Sequence, residues 1–176
     1  MTYGPPFAKV GLNLFEYGGS KFLICVDRWS GFPLYKKLTT LTAKAITGIL
    51  TSWFNIMGWP KAIRSDGGLQ FCGTFPQWCA SHNTQHELSS PYNPKSNGLA
   101  KSGVKNVKVL MDKCKHEWSD FDYALYEWQN SPRSHGYSPE QLHFGRREFT
   151  SLPYLPSQFD LYDLDEVKQV NKGLSI

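Results

Sequence analysis

Residues 62 to 115 set out strand, turn, helix, strand, loop and helix in an order that few architectures can accommodate. Ala62, Ile63, Arg64 and Ser65 form a short, largely apolar run that ends on Asp66, and Gly67 and Gly68 follow at once. This predicts a strand over Ala62–Ser65 whose end presents an acid at the carboxyl edge, just before a turn. The aromatic-rich stretch Thr74–Ser81 predicts a helix and Gln85–Leu88 a further strand. Strands separated by a helix pair in parallel, because a hairpin turn cannot reverse the chain twice over that distance. The segment SSPYNPKSNG then supplies two prolines, an Asn-Gly pair and small polar residues, a loop signature. From Leu99 to Lys115 no proline intervenes, and Val104, Val107, Leu110, Met111 and Cys114 recur at intervals of three and four. One face of that helix is therefore expected to be buried, while Lys101, Lys105 and Lys108 recur on another.

Upstream, Lys9–Glu16, Lys21–Asp27 and Gly31–Lys37 are expected as three strands of an antiparallel meander joined by Gly-Gly and Ser-Gly turns. Thr42–Met57 is expected as a helix. The whole is an α/β chain with a five-stranded mixed sheet flanked by helices on both faces. Downstream, Asp120–Asn130 continues as an amphipathic helix, and Ser138 with Pro139 caps and opens a short helix that Gly145 closes. Beyond it come Pro153, Pro156 and the acidic run Asp160–Glu166, without periodicity. The expected organisation is one domain over residues 1–147 and a linker with an acidic tail over 148–176.

Composition excludes several classes. At 176 residues and 40% hydrophobic content the chain can bury a substantial core, which argues against disorder. No signal-like leader or apolar run of membrane-spanning length is present, so neither secretion nor membrane contact is expected. Cys25, Cys72, Cys79 and Cys114 lack zinc-ligand spacing and are expected as buried thiols in a reducing, intracellular compartment. The five histidines are scattered over different elements, and structural roles are expected for all of them. Trp53, Trp59, Trp78, Trp118 and Trp128 are expected as core or dimer-interface anchors. A net charge of +4 is mild, but the lysines concentrate between Lys95 and Lys115, which points to a local basic face.

In chain order, VGLNLF, FLICVDRWSGFPLY, WFNIMGWPKAIRSDGGLQF, HELSSPYNPKSNGLAKSGVKNVK and NSPRSHGYSPEQLHFGRR resemble the catalytic core of gypsy-type long-terminal-repeat retrotransposon and retroviral integrases, from Pro6 to Arg147. The resemblance implies a ribonuclease-H-like fold. It also implies two metal ions, magnesium or manganese, held by an acid on the first strand, an acid after the fourth and a glutamate on the next long helix. Those positions fall on Asn13, Asp66 and Lys101, and only Asp66 keeps the family's residue.

Charge decides what these replacements imply. A pair of divalent ions needs several anionic oxygens to offset it before a phosphodiester arrives. Asparagine offers a neutral carbonyl, and a lysine ammonium donates only and repels cations. Metal binding is therefore expected to be lost, with Asp66 and Lys101 paired or close together. Glu16 and Glu87 are the acids nearest to serving as substitutes; alternation places Glu16 on the far face of its strand, and Glu87 ends a strand that leads into the loop. Natural loss in a domesticated transposon sequence and engineered inactivation both account for the replacements. The expected function is a catalytically inactive, nuclear integrase-like module. It would form a homodimer with as yet unidentified protein partners, and DNA backbone contact would come through Lys95, Asn97, Lys101, Lys105 and Lys108. The competing expectation is a metal-dependent polynucleotidyl transferase, active through a substitute carboxylate or with aspartate and glutamate restored.

Overall fold

Gly18 and Gly19 adopt φ values of 56° and 73° in the first reversal of the chain, a turn that only residues tolerant of positive φ can make. They join β1 (Lys9–Tyr17) to β2 (Ser20–Asp27) in an antiparallel ladder running from Val10↔Asp27 to Tyr17↔Ser20. The computed structural model describes residues 5–89, 98–114 and 118–149. β3 (Pro33–Leu38) pairs antiparallel with β2 and begins later than the expected Gly31. The delay has a cause in Asp27. Its fully buried carboxylate accepts hydrogen bonds from the Ser30 hydroxyl at 2.6 Å and from the backbone N–H groups of Phe7, Trp29 and Ser30, so it holds the turn closed through Gly31.

α1 (Ala43–Met57) starts where Thr42 accepts a hydrogen bond from Ala45 N–H, and it buries Ile46, Leu50 and Phe54 at a spacing of four. β4 (Ala62–Ser65) then pairs parallel with β1, through Lys9↔Ala62, Val10↔Ile63 and Gly11↔Arg64. A short 3-10 turn over Leu69–Phe71, which the sequence had not suggested, buries Phe71. α2 (Thr74–Ser81) buries Phe75 and Cys79, and β5 (Gln85–Leu88) pairs parallel with β4. The sheet order is β3-β2-β1-β4-β5, five strands with antiparallel and parallel pairs, as expected.

Each face of the sheet has its own cover. Val10, Leu12, Leu23, Cys25 and Ile63 meet Ile46, Leu50 and Phe54 of α1 and Phe75 and Cys79 of α2 in one apolar core. Trp53, Trp59 and Trp78 pack against it, in keeping with the anchoring role expected of them. The opposite face receives α3 (Gly98–Lys113), which ends before the expected Lys115. Its approach is set by Gly103: a Cβ there would lie 2.7 Å from Val26 Cγ2 and 3.3 Å from Ile24 Cδ1 of β2. Ala100, Gly103, Val107 and Met111 form the buried stripe.

The chain divides into two compact units, Met1–Val109 and Leu110–Ile176. In the second, α4 (Trp118–Asn130) precedes α5 (Pro139–Phe144). Ser138 and Gln141 exchange side-chain and backbone hydrogen bonds in a capping box, and Gly145 closes the helix in the left-handed conformation, as the sequence suggested. Phe121, Leu125 and Leu142 are buried in this unit. The expected linker and acidic tail over 150–176 lie outside the described residues. Among the described residues no helix is long and apolar enough to cross a membrane.

Candidate functional site

Continuing the β1–β4 register past Gly11↔Arg64 brings Asn13 beside Asp66 at one end of the sheet. Alternation along β1 puts Gly11, Asn13 and Phe15 on the face that α3 covers. The neighbouring strand confirms this, because Asn13 pairs with Ile24 and Gly11 with Val26, the two residues that Gly103 touches. Lys101 precedes Gly103 by two positions at the start of α3. The fold thus brings Asn13 beside Asp66, with Lys101 two residues before Gly103 on the helix that covers the same sheet face.

What their side chains do there differs in part from expectation. Asp66 is half-buried, and its Oδ1 accepts the Gly68 N–H at 3.0 Å. Gly68 makes this approach easy, since a Cβ would sit 3.0 Å from this same oxygen and 2.8 Å from Gln70 Oε1, and both side chains would have to shift. Lys101 is exposed and forms no ion pair with Asp66, so of the two arrangements expected, direct pairing or mere proximity, the direct pairing is not made. The reason is energetic: an exposed lysine gains little from a surface ion pair, and Asp66 already has a backbone donor.

Neither candidate substitute acid is placed to serve. Glu16 is exposed on the opposite side of β1. Glu87 shares the α3 face, but Arg64 of the adjacent strand holds it, with Nη2 at 2.5 Å and Nε at 3.0 Å from Oε2. Among the described residues no group of three or more His, Cys, Asp or Glu stands close enough to hold a metal ion. The donor set of one carboxylate, one amide and one ammonium does not fit a pair of hard divalent cations, which demand several anionic oxygens.

The basic face is uneven. Lys101 and Lys105 are exposed, whereas Lys108 is half-buried with its Nζ 5.7 Å from the centroid of Phe15, itself stacked on Phe22. Lys108 thus spends its stem on apolar surface. Lys95 and Asn97 lie outside the described residues.

Two features of this end of the sheet escaped the sequence reading. The Arg64–Glu87 pair was legible in principle, because both residues precede strand ends on adjacent parallel strands. His86 was set aside with the other histidines, yet its Nε2 lies 2.8 Å from the Oγ of Ser65, a hydroxyl that also donates to Asp66 O at 3.0 Å. Ser89 donates to Ser65 O through both N–H and Oγ at 2.8 Å, so the backbone leading into Asp66 is tied to β5. Burial lowers the His86 pKa. The cysteine expectation holds for Cys25 and Cys79, whose thiols burial pushes well up, to about 12 for Cys79. It fails for Cys72, which is exposed with Sγ 3.5 Å from Gly68 O, and for Cys114, which is half-buried, because both follow the ends of helical turns rather than core positions.

No protein-family model matches the sequence. An uncharacterised protein of Caenorhabditis elegans is 33% identical over 144 residues, 78% of this chain and 11% of that protein. The Gag-Pro-Pol polyprotein of simian retrovirus SRV-1 is 30% identical over 122 residues, 68% of this chain and 6% of the polyprotein. The chain therefore spans a small part of the length of these relatives. Among solved structures, the catalytic core domain of BIV integrase superposes with a TM-score of 0.68 at 15% identity, over 78% of this chain and 93% of that one. The chain has the integrase catalytic-core fold. A simian T-cell lymphotropic virus intasome, solved in complex with PP2A regulatory subunit B56 gamma, gives a TM-score of 0.71 at 22% identity, over 86% of this chain and 59% of the matched one. The chain is thus similar in sequence to part of retroviral polyproteins and in architecture to integrase catalytic cores.

Proposed function

We propose that this integrase-core-like domain is catalytically inactive, derives from a domesticated retrotransposon, and acts in the nucleus as a dimerising protein-interaction module with residual contact to the DNA backbone. The observation that carries the reading is the occupancy of the site positions. Asn13 and Lys101 flank a lone Asp66, Glu87 is neutralised by Arg64, and Glu16 stands on the far side of its strand. Such a set cannot offset two divalent ions, and without them an in-line phosphoryl displacement loses the stabilisation of both its attacking and its leaving oxygen. Association through protein surfaces has no such requirement. Any DNA contact through Lys101, Lys105 and Lys108 would be to phosphates, and so salt-sensitive and indifferent to sequence.

Calorimetric titration of the chain with magnesium and then manganese, beside the double variant Asn13→Asp, Lys101→Glu, tests the reading. No binding to the chain together with binding to the double variant is the expected result. Binding by the unaltered chain would return the alternative, a metal-dependent polynucleotidyl transferase working through an unrecognised ligand. Duplex DNA titrated at rising salt tests the second part: replacing Lys105 by alanine is expected to weaken binding alike on unrelated sequences and to flatten the salt dependence.

A further inference from the structure

Between α4 and α5 lies a buried polar pair. Glu140 is 6% exposed and its Oε2 accepts a hydrogen bond from Asn130 Nδ2 at 2.5 Å. Asn130 is 9% exposed, and the same Nδ2 also donates to Tyr126 O at 3.1 Å. With acceptors on both of its sides Nδ2 has only one sensible orientation, because a flipped amide would turn its oxygen toward them. Asn130 Oδ1 is therefore fixed in place, buried and without a hydrogen-bond partner. An unmet buried acceptor is costly, and an ionised carboxylate, itself acceptor-only, cannot relieve it.

A protonated carboxyl can. Its O–H would donate to Asn130 Oδ1 while Asn130 Nδ2 keeps donating to the other carboxyl oxygen, closing a ring of two hydrogen bonds between acid and amide. We infer that Glu140 and Asn130 form a proton-operated latch between α4 and α5, closed by two hydrogen bonds when Glu140 carries its proton and weakened to one when it is ionised. The proton comes from water and returns to it, and only an O–H bond is made or broken.

The surroundings favour the protonated form. Burial is the largest influence on Glu140 and Glu148 beyond α5 adds to it, while the Asn130 hydrogen bond and Arg146 oppose; together they push the carboxyl up to about 7. On α4 the facing titratable group is Tyr126, whose own pKa is raised by burial first and then by Glu140, Glu148 and Glu127. Among the described residues Glu127 Oε1 is likewise buried with no hydrogen-bond partner.

The test uses the whole chain in two measurements. Glutamate labelled with carbon-13 at its side-chain carboxyl lets the Glu140 resonance be followed by NMR from about pH 5 to about pH 9, with assignment by Glu140→Gln. In parallel, thermal melts compare the chain with Glu140→Gln, whose carboxamide reproduces the protonated acid, its oxygen accepting from Asn130 Nδ2 and its amino group donating to Oδ1. The latch predicts that the Glu140 resonance titrates near neutrality. It also predicts that the variant gains several degrees over the chain as pH rises from the ordinary carboxylate range to above 7, then holds that margin. Titration of Glu140 in the ordinary range, or melts of the variant that run parallel to those of the chain across this interval, would overturn it. If Glu140→Gln does not fold, the carboxyl resonance, assigned instead through Asn130→Ser, decides alone.

Discussion

The β4–β5 edge and the α4–α5 hairpin each hold an ionisable side chain in a hydrogen bond, half-buried in the first and buried in the second, and acid acts on them with opposite sign. His86, beside Ser65, has its pKa lowered by burial, so the folded chain prefers the neutral ring. The unfolded chain then takes up the proton more readily. Stability at this edge is complete above the ordinary histidine value of about 6.5 and is lost as pH falls below it, down to the folded value. Glu140 is the reverse case. Its carboxyl is raised to about 7, the folded chain holds the proton more tightly, and stability is lost as pH rises from the ordinary carboxylate range to about 7. Two ionisable groups of one fold thus titrate in overlapping intervals with opposite sign, and a flat stability profile near neutrality would conceal both.

Perturbations of decreasing size separate these contributions. The largest effect is expected from Phe54→Ala, since Phe54 is fully buried and its ring meets Phe7, Trp59 and Trp78. A loss of about 3–5 kcal/mol at every pH is expected, read as a shift of the urea midpoint. An equal shift at acid and neutral pH would show that the apolar core is blind to both titrations. Gly103→Val should cost about 1–3 kcal/mol, because any side chain there must displace Val26. Chemical denaturation would show it, and a neutral result would mean that α3 can lift from the sheet.

Smaller and pH-selective effects come next. Above pH 7, Glu140→Gln should raise stability by about 1–3 kcal/mol, the scale of relieving an unmet buried acceptor; the gain should shrink on acidification. Replacing His86 by glutamine keeps a hydrogen-bonding side chain for Ser65, and is expected to cost about 1 kcal/mol or less at pH 8 while removing the loss on acidification. A double variant at His86 and Glu140 should then keep only the loss on acidification that His135 contributes, its pKa being lowered by burial and by Arg133, which melting curves can check. Smallest of all, Lys108→Ala should cost roughly 0.5–1 kcal/mol through its contact with Phe15.

The fold was legible because its signals are local and redundant. Alternation in β1 and β2, Thr42 as a cap, the glycine pair at the first turn and Ser138 with Pro139 each specify their element through short-range sterics and hydrogen bonds. Strand β3 began late because Asp27 draws the following backbone N–H groups to itself, a side-chain competition that hydrophobic periodicity does not register. The site was legible in its backbone positions and less so in its contacts. Asp66 chose the nearby Gly68 N–H over a distant ammonium, and Arg64 met Glu87 across strands 23 residues apart in sequence. The Asn130–Glu140 pair depends on burial from every side, which no linear pattern reports.

Lys101 and Gly103 sit two positions apart on α3 and answer to different constraints. At 101 the side chain projects into water, where a change of sign in its charge costs the architecture nothing. At 103 no atom can be added without moving β2. The charge at the start of such a helix can therefore be exchanged in one step with the whole scaffold kept. Substitutions should then be borne freely at 101 and hardly at all at 103, although only the first of these positions carries a charge.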